Sequence, residues 1–227
     1  MAAPPRRPAR LAAAPPASGD TRARIVEAAR YLFWEKGYAA TGLAELLTRA
    51  QANSGSFYHF FESKDALLRT VLETYVDLFE PIVLRPAWAS TTDPIERIFA
   101  LLAGYRGRLE LTECRYGCPI GRLALELDPE NEPAHGLIAR NFSGWTAAVR
   151  ICLEAASVAE PDDVATFVLT VMEGAVMQSR AFRSLEPFDA CIRQLRQHLA
   201  ALTAGGSPAR RPLTAPRSTG RIPRRVR

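Results

Sequence analysis

The sequence is poor in several features that would otherwise narrow its function. Only Lys36 and Lys64 among its 29 basic residues are lysines. That bias fits a high-GC genome and says nothing about activity. No apolar run approaches the roughly 18–20 residues a membrane span needs, so no membrane partner is expected. No stretch alternates polar and apolar residues with the period of a half-buried strand, which excludes a sheet from the expected fold. Histidine occurs three times, as His59, His135 and His198. The four cysteines are Cys114, Cys118, Cys152 and Cys191, and the one Cys-x3-Cys spacing has no second pair. A structural zinc site needs about four such ligands at matched spacings, so neither a metal nor another cofactor is expected. The amino-terminal MAAPPRRPARLAAAPPASGD is broken by prolines. It lacks the continuous apolar core of about 7–15 residues that marks a signal peptide, so a cytoplasmic location is expected. A cytoplasmic chain does not depend on disulfides, and Cys152 and Cys191 read as buried thiols.

What is present is enough for a sizeable core: 227 residues, 48% of them hydrophobic and 23% charged. The net charge of +5 is unevenly placed. Residues 1–17 and 204–227 together hold ten arginines and no acid, which leaves residues 18–203 at −5. Both tails are proline-rich and short of large apolar residues, so they are expected to be disordered and suited to non-specific attraction to phosphates.

Between the tails the period is helical. In TRARIVEAARYLFWEKG, the residues Ile25, Ala28, Ala29, Leu32 and Phe33 form one apolar stripe. Asp20 or Thr21 can cap this helix, and Gly37 stands where a left-handed residue would end it. Thr41 is placed to cap a second short helix carrying Leu43, Leu46, Leu47 and Ala50. Asn53 caps a third, whose buried side is expected to hold Phe57, Phe60 and Phe61. Ser63 caps a fourth, which runs to about Phe79. Short helices with a tight break between the second and third outline a helix-turn-helix, spanning about 44–63. The open side of the third helix carries Ser54, Gly55, Ser56, Tyr58 and His59. Small residues there allow close approach to DNA, free N–H groups suit phosphates, and the longer side chains can reach base edges. Ala52 and Asn53, at its start, complete the DNA-facing set.

Residues 21–68 resemble the N-terminal DNA-binding domain of TetR-family transcriptional regulators. The most specific matches are Lys36-Gly37-Tyr38, Thr41, Gly55-Ser56-Phe57-Tyr58-His59, Phe61 and Ser63-Lys64-Asp65-Ala66-Leu67. The resemblance implies that Thr41 and Lys64 contact phosphate and that Gly55, Ser56, Tyr58 and His59 contact DNA. Two positions depart from the family pattern. Gln51 stands where the turn usually has glycine, and Ser54 stands where many members have a long polar residue. Residues 18–82 hold seven Lys or Arg against nine Asp or Glu, so the domain itself is not basic.

The second half reads as helical throughout. Asp93-Pro94-Ile95-Glu96 is a strong helix start, and its helix should bury Ile95, Ile98, Phe99, Leu102 and Tyr105. Further helices are expected after Pro119, over about 132–156, over about 161–182 and over about 187–202. The fold class expected is thus all-α: a helix-turn-helix domain over 18–82 and a helical ligand-binding and dimerisation domain over 83–203. The family resemblance implies a homodimer through the last two helices, which suits a near-palindromic operator.

TECRYGCPIGRLALELDPENEP resembles a subgroup with a Gly-Cys-x-x-Gly segment, some of whose members respond to electrophiles or oxidants. Cys118 is its cysteine. A place before a helix N-terminus, with Arg115 and Arg122 near in sequence, would lower the thiol pKa; the alternative role is packing. Tyr105, Trp145, Met172 and Glu173 are the candidate effector contacts, as the larger or polar groups on the middle helices. An enzyme using Cys118 would need a base and an orienter. His59 is committed to the third helix and the other histidines have no recognisable partner, so the chain is read as not an enzyme. The function expected is a transcriptional repressor that binds double-stranded operator DNA as a dimer and is released by an unknown small-molecule or thiol-reactive effector. The alternative is an effector-independent DNA-binding protein.

Overall fold

The computed structural model describes residues 20–204, which form helices and no strand. Both arginine-rich tails lie outside the described residues.

Helix α1 (Thr21–Lys36) begins where the Asp20 carboxylate accepts from the Arg22 N–H at 2.9 Å. It ends at Gly37, whose φ of 94° is positive but whose ψ of 169° is extended. This is not the left-handed helical pair expected from the sequence. Glycine is needed there for a second reason: a Cβ on Gly37 would stand 2.2 Å from Glu126 Oε2.

Helix α2 (Leu43–Ala50) starts after Gly42, with no side-chain cap. Thr41 does not cap it. The side chain is buried and its hydroxyl donates to the Gly37 carbonyl at 2.6 Å, an oxygen that the end of α1 leaves open. The turn that follows is left-handed at Gln51 (φ 51°, ψ 48°) although the residue is not glycine. Such a conformation costs about 1–2 kcal/mol for a residue with a Cβ. Arg24 of α1 ties this turn down, donating through Nε to the Ala50 carbonyl at 3.0 Å and through Nη2 to that of Gln51 at 3.4 Å.

Helix α3 (Ser54–Phe60) is too short to persist alone. The Asn53 side chain accepts from Ser56 N–H at 2.8 Å, and Phe57 is wholly buried. Phe61 is buried as well, but Phe60 is not, contrary to the apolar side read from the sequence. The backbone leaves the helix at Phe61 (φ −137°, ψ 120°), which swings that ring inward while Phe60 stays on the helix surface beside His59.

Helix α4 (Lys64–Leu78) is capped by Ser63. As an α-helix it ends at Leu78, next to the expected Phe79, but the helical run goes on. It widens into a π-helical stretch, Phe79–Leu84, and continues as α5 (Arg85–Trp88). Pro81 offers no N–H to an α-helical ladder, and the wider turn carries the chain past it, with Arg85 N–H bonded to the Glu80 carbonyl. The expected boundary at residue 82 therefore falls inside a continuous helical run.

The remaining helices are α6 (Pro94–Leu111), α7 (Pro119–Glu126), α8 (Glu132–Ala155), α9 (Pro161–Phe182) and α10 (Glu186–Thr203). Two apolar cores result. One joins α6, α8, α9 and α10 around Leu102, Val149, Val168 and Leu199. The other joins α1–α4 around Leu32, Leu46, Phe57 and Val71, and it is completed by Ile120 and Leu123 of α7 and Ala134 and Ile138 of α8. No helix among the described residues is long and apolar enough to cross a membrane.

Candidate functional site

The surface around α3 is built from the residues singled out in sequence. Asn53, Ser54, Gly55, Tyr58 and His59 are exposed; Ala52 and Ser56 are half-buried. Tyr58 is 60% exposed and packs edge-on against Phe57, 5.2 Å between ring centres, so a buried ring fixes the base of an exposed one. Lys64 opens α4 and is half-buried. Its ammonium donates to the Tyr38 carbonyl at 2.6 Å and lies 4.3 Å from the centre of the Tyr38 ring. Burial pushes the Lys64 pKa down. Thr41 stands apart from the set, since its side chain is enclosed under the end of α1.

A cavity of about 440 Å³ opens between the two halves of the molecule. Tyr105 of α6, Cys118 at the start of α7, Trp145 of α8, and Met172 and Glu173 of α9 all line it. The five effector candidates are thus brought to one place. The opposite wall was not foreseen. It consists of Glu27, Arg30, Tyr31 and Trp34 of α1, with Tyr75 of α4 and Phe79 and Ile82 of the π-helical stretch. Glu27 and Arg30 pair with each other at 2.6 Å. Asn141 donates its side-chain amide to the Leu72 and Leu137 carbonyls. Burial pushes the Tyr75 and Tyr105 hydroxyls up, so both remain protonated donors.

The Gly-Cys-x-x-Gly segment shapes the wall between these halves. Cys118 stands at the N-cap of α7, its sulfur facing the Gly121 N–H at 3.5 Å. A Cβ on Gly121 would lie 2.3 Å from Glu173 Oε2, so this glycine makes room for the carboxylate. The Cys118 pKa is raised well above the ordinary thiol value, by burial first and by the neighbouring Glu173 second. This reverses the lowered value expected from the sequence, because the two arginines are engaged elsewhere. Arg115 pairs with Glu113. Arg122 donates to the Glu35 and Lys36 carbonyls at the end of α1 and approaches Glu126 at 3.6 Å.

The same segment clasps α1. The Glu126 carboxylate accepts from the Tyr38 and Ala39 N–H groups at 3.1 and 2.7 Å. Tyr116 donates to Glu35 at 3.0 Å, and Trp34 Nε1 donates to the Gly117 carbonyl at 2.7 Å. The orphan groups at a helix end are here satisfied by side chains from another element.

Comparison with known proteins agrees with this arrangement. Residues 25–71 match the family "Bacterial regulatory proteins, tetR family", and residues 94–194 match "Transcriptional regulator LmrA/YxaF-like, C-terminal domain". The chain belongs to the TetR family. Among relatives of this TetR-family chain, the uncharacterized HTH-type transcriptional regulator YxaF of Bacillus subtilis is 28% identical over 171 residues, covering 74% of this chain and 90% of the relative. The HTH-type transcriptional repressor DhaR of a Mycobacterium species is 27% identical over 175 residues, covering 74% and 86%. The crystal structure of the reduced form of NemR from Escherichia coli superposes with a TM-score of 0.69 at 25% identity, covering 78% of this chain and 96% of that one.

The chain is thus a transcriptional regulator with a helix-turn-helix at α2–α3. Sequence reasoning missed the α1 wall of the cavity, yet a signal existed. Tyr31 and Trp34 lie three residues apart on the face of α1 that the buried stripe leaves over, where a solvated helix would carry polar groups. The three histidines are placed elsewhere: His59 on α3, His135 against the Asp128 carbonyl, and His198 against the Phe167 ring. All four cysteines are free thiols.

Proposed function

We propose that this protein is a repressor that grips operator DNA as a homodimer through α2 and α3 and lets go when a small molecule occupies the cavity. The observation that carries this reading is the cavity's construction. One wall belongs to α1 of the DNA-binding end, and the other to α6, α8 and α9. A ligand filling it touches both and cannot be indifferent to their relative position. An effector shifts an equilibrium only through differential contact with the two states, and this site offers such contact.

On the DNA side, Ser54, Gly55, Tyr58 and His59 present the reading surface, and the N–H groups at the start of α3 suit phosphate. Lys64 contributes positive charge from the start of α4. The pairing surface is the outer face of α9 and α10. Phe167, Met177 and Phe182 of α9 are exposed apolar side chains, and Gln194, Gln197 and Ala201 of α10 are exposed beside them. Cys118 serves first as the cap and packing group of the cavity wall, because its environment favours the thiol over the thiolate.

Fluorescence anisotropy on DNA from just upstream of its own gene, against a scrambled duplex, tests the reading. Specific sites are held at about 10⁻⁸–10⁻¹¹ M and non-specific ones at about 10⁻⁴–10⁻⁶ M. A preference of a hundredfold or more is expected. Equal, salt-sensitive binding to both duplexes would refute an operator at that place. A thiol reagent should leave operator binding of wild type and Cys118→Ser alike; loss in wild type alone would make Cys118 the sensor.

A further inference from the structure

The cavity's chemistry restricts what it can hold. Its charges balance in number: Glu27, Arg30, Arg108 and Glu173 all line it, and Glu27 and Arg30 already pair with each other on α1. A ligand of either charge would enter a site with no surplus of the opposite sign, after losing its hydration. The rest of the lining is aromatic to an unusual degree, with Tyr31, Trp34, Tyr75, Phe142 and Trp145 among the walls. Flat rings stack well on such surfaces.

Two polar atoms of the lining residues stand out among the rest. Trp145 Nε1 and Glu173 Oε1 are both buried and make no well-formed hydrogen bond, with the Tyr105 hydroxyl and the Cys118 thiol as their respective polar neighbours. A buried polar atom left unpaired is costly and calls for an explanation. One is a donor and the other an acceptor, and both residues line one cavity.

We propose that the cavity takes an uncharged, flat aromatic molecule bearing a group that both donates and accepts hydrogen bonds, of the phenol or carboxamide class. Trp145 Nε1–H donates to its acceptor, and Glu173 Oε1 accepts from its donor. The assignment rests on the reading of this cavity as the effector site.

Equilibrium dialysis of the full chain against five naphthalene probes tests it at neutral pH. The probes are 2-naphthol, 2-naphthamide, 2-naphthoate, 2-naphthylmethylammonium and naphthalene itself. The naphthol and naphthamide are expected to bind at least about tenfold more tightly than the other three, the factor that one well-made buried hydrogen bond supplies. Trp145→Phe keeps a ring but removes the donor, and should weaken the naphthol by about tenfold while changing naphthalene by no more than about threefold. Equal or tighter binding of the anion, the cation or bare naphthalene would overturn the ligand class while leaving the cavity as a binding site. Failure of all five probes to bind would remove the cavity reading itself, and this inference with it.

Discussion

Single residues show why burial decides what a side chain can do. Thr41 matches a phosphate-contacting position of the family, but here its hydroxyl is spent on the Gly37 carbonyl. Thr41→Val should therefore lower stability by about 1–3 kcal/mol, through an unpaired buried carbonyl, as measured by urea unfolding. Thr41→Ser should restore most of it. Glu173 offers a pH-dependent counterpart. Burial raises its pKa above the ordinary value of 4.5, so the folded state holds that proton more tightly than the unfolded chain. The group costs nothing while protonated in both states, and stability falls as pH rises from the unfolded value through the folded one. Glu173→Gln cannot ionise. Its melting temperature relative to wild type should rise over that interval and level off above it; a difference independent of pH would contradict the assignment. The capping residues Asp20, Asn53, Ser63 and Asp93 were legible in the sequence because a cap is a local rule. The Cys118 pKa was not, because its causes, burial and Glu173, come from a helix some fifty residues away.

At the scale of elements, α7 is the piece that connects the others. Its first turn carries Cys118 and Gly121 against Glu173, and its last turns hold the end of α1 through Arg122 and Glu126. These bonds are the route by which a shift of α7 would reach the segment that leads into α2, if the cavity is the effector site. Glu126→Gln loses the charge that holds the Tyr38 and Ala39 N–H groups. Operator affinity should stay within about threefold, while the effector concentration needed for release rises by about tenfold, a coupling of roughly 1–2 kcal/mol. Anisotropy titrations with and without ligand separate the two quantities. Unchanged release would show that α7 is only a strut. Most helices could be placed from apolar spacing, caps and prolines. The exception was the helical run through Phe79–Leu84, because Pro81 reads as a stop unless the ladder widens around it.

For the whole molecule, α9 carries exposed apolar side chains that a monomer would leave in water. Met177 is 60% and Phe182 71% exposed, and Gly174 between Phe167 and Met177 has open space beside it. Met177→Glu should shift sedimentation from dimer to monomer at micromolar concentration, with the fold intact because the position is on the surface. Operator binding should weaken by at least about a hundredfold as the two half-sites are no longer held together. The fold class could be read from the chain, but the seam between the two cores could not. Sequence patterns report which face of a helix is buried and stay silent on which distant helix covers it. That seam also limits modularity. The core around α1–α4 is closed by Ile120, Leu123, Ala134 and Ile138, so a chimera that grafts only the first four helices onto a foreign partner would carry an unroofed core. A transplantable reading head from this protein has to take α7 and the first turns of α8 with it.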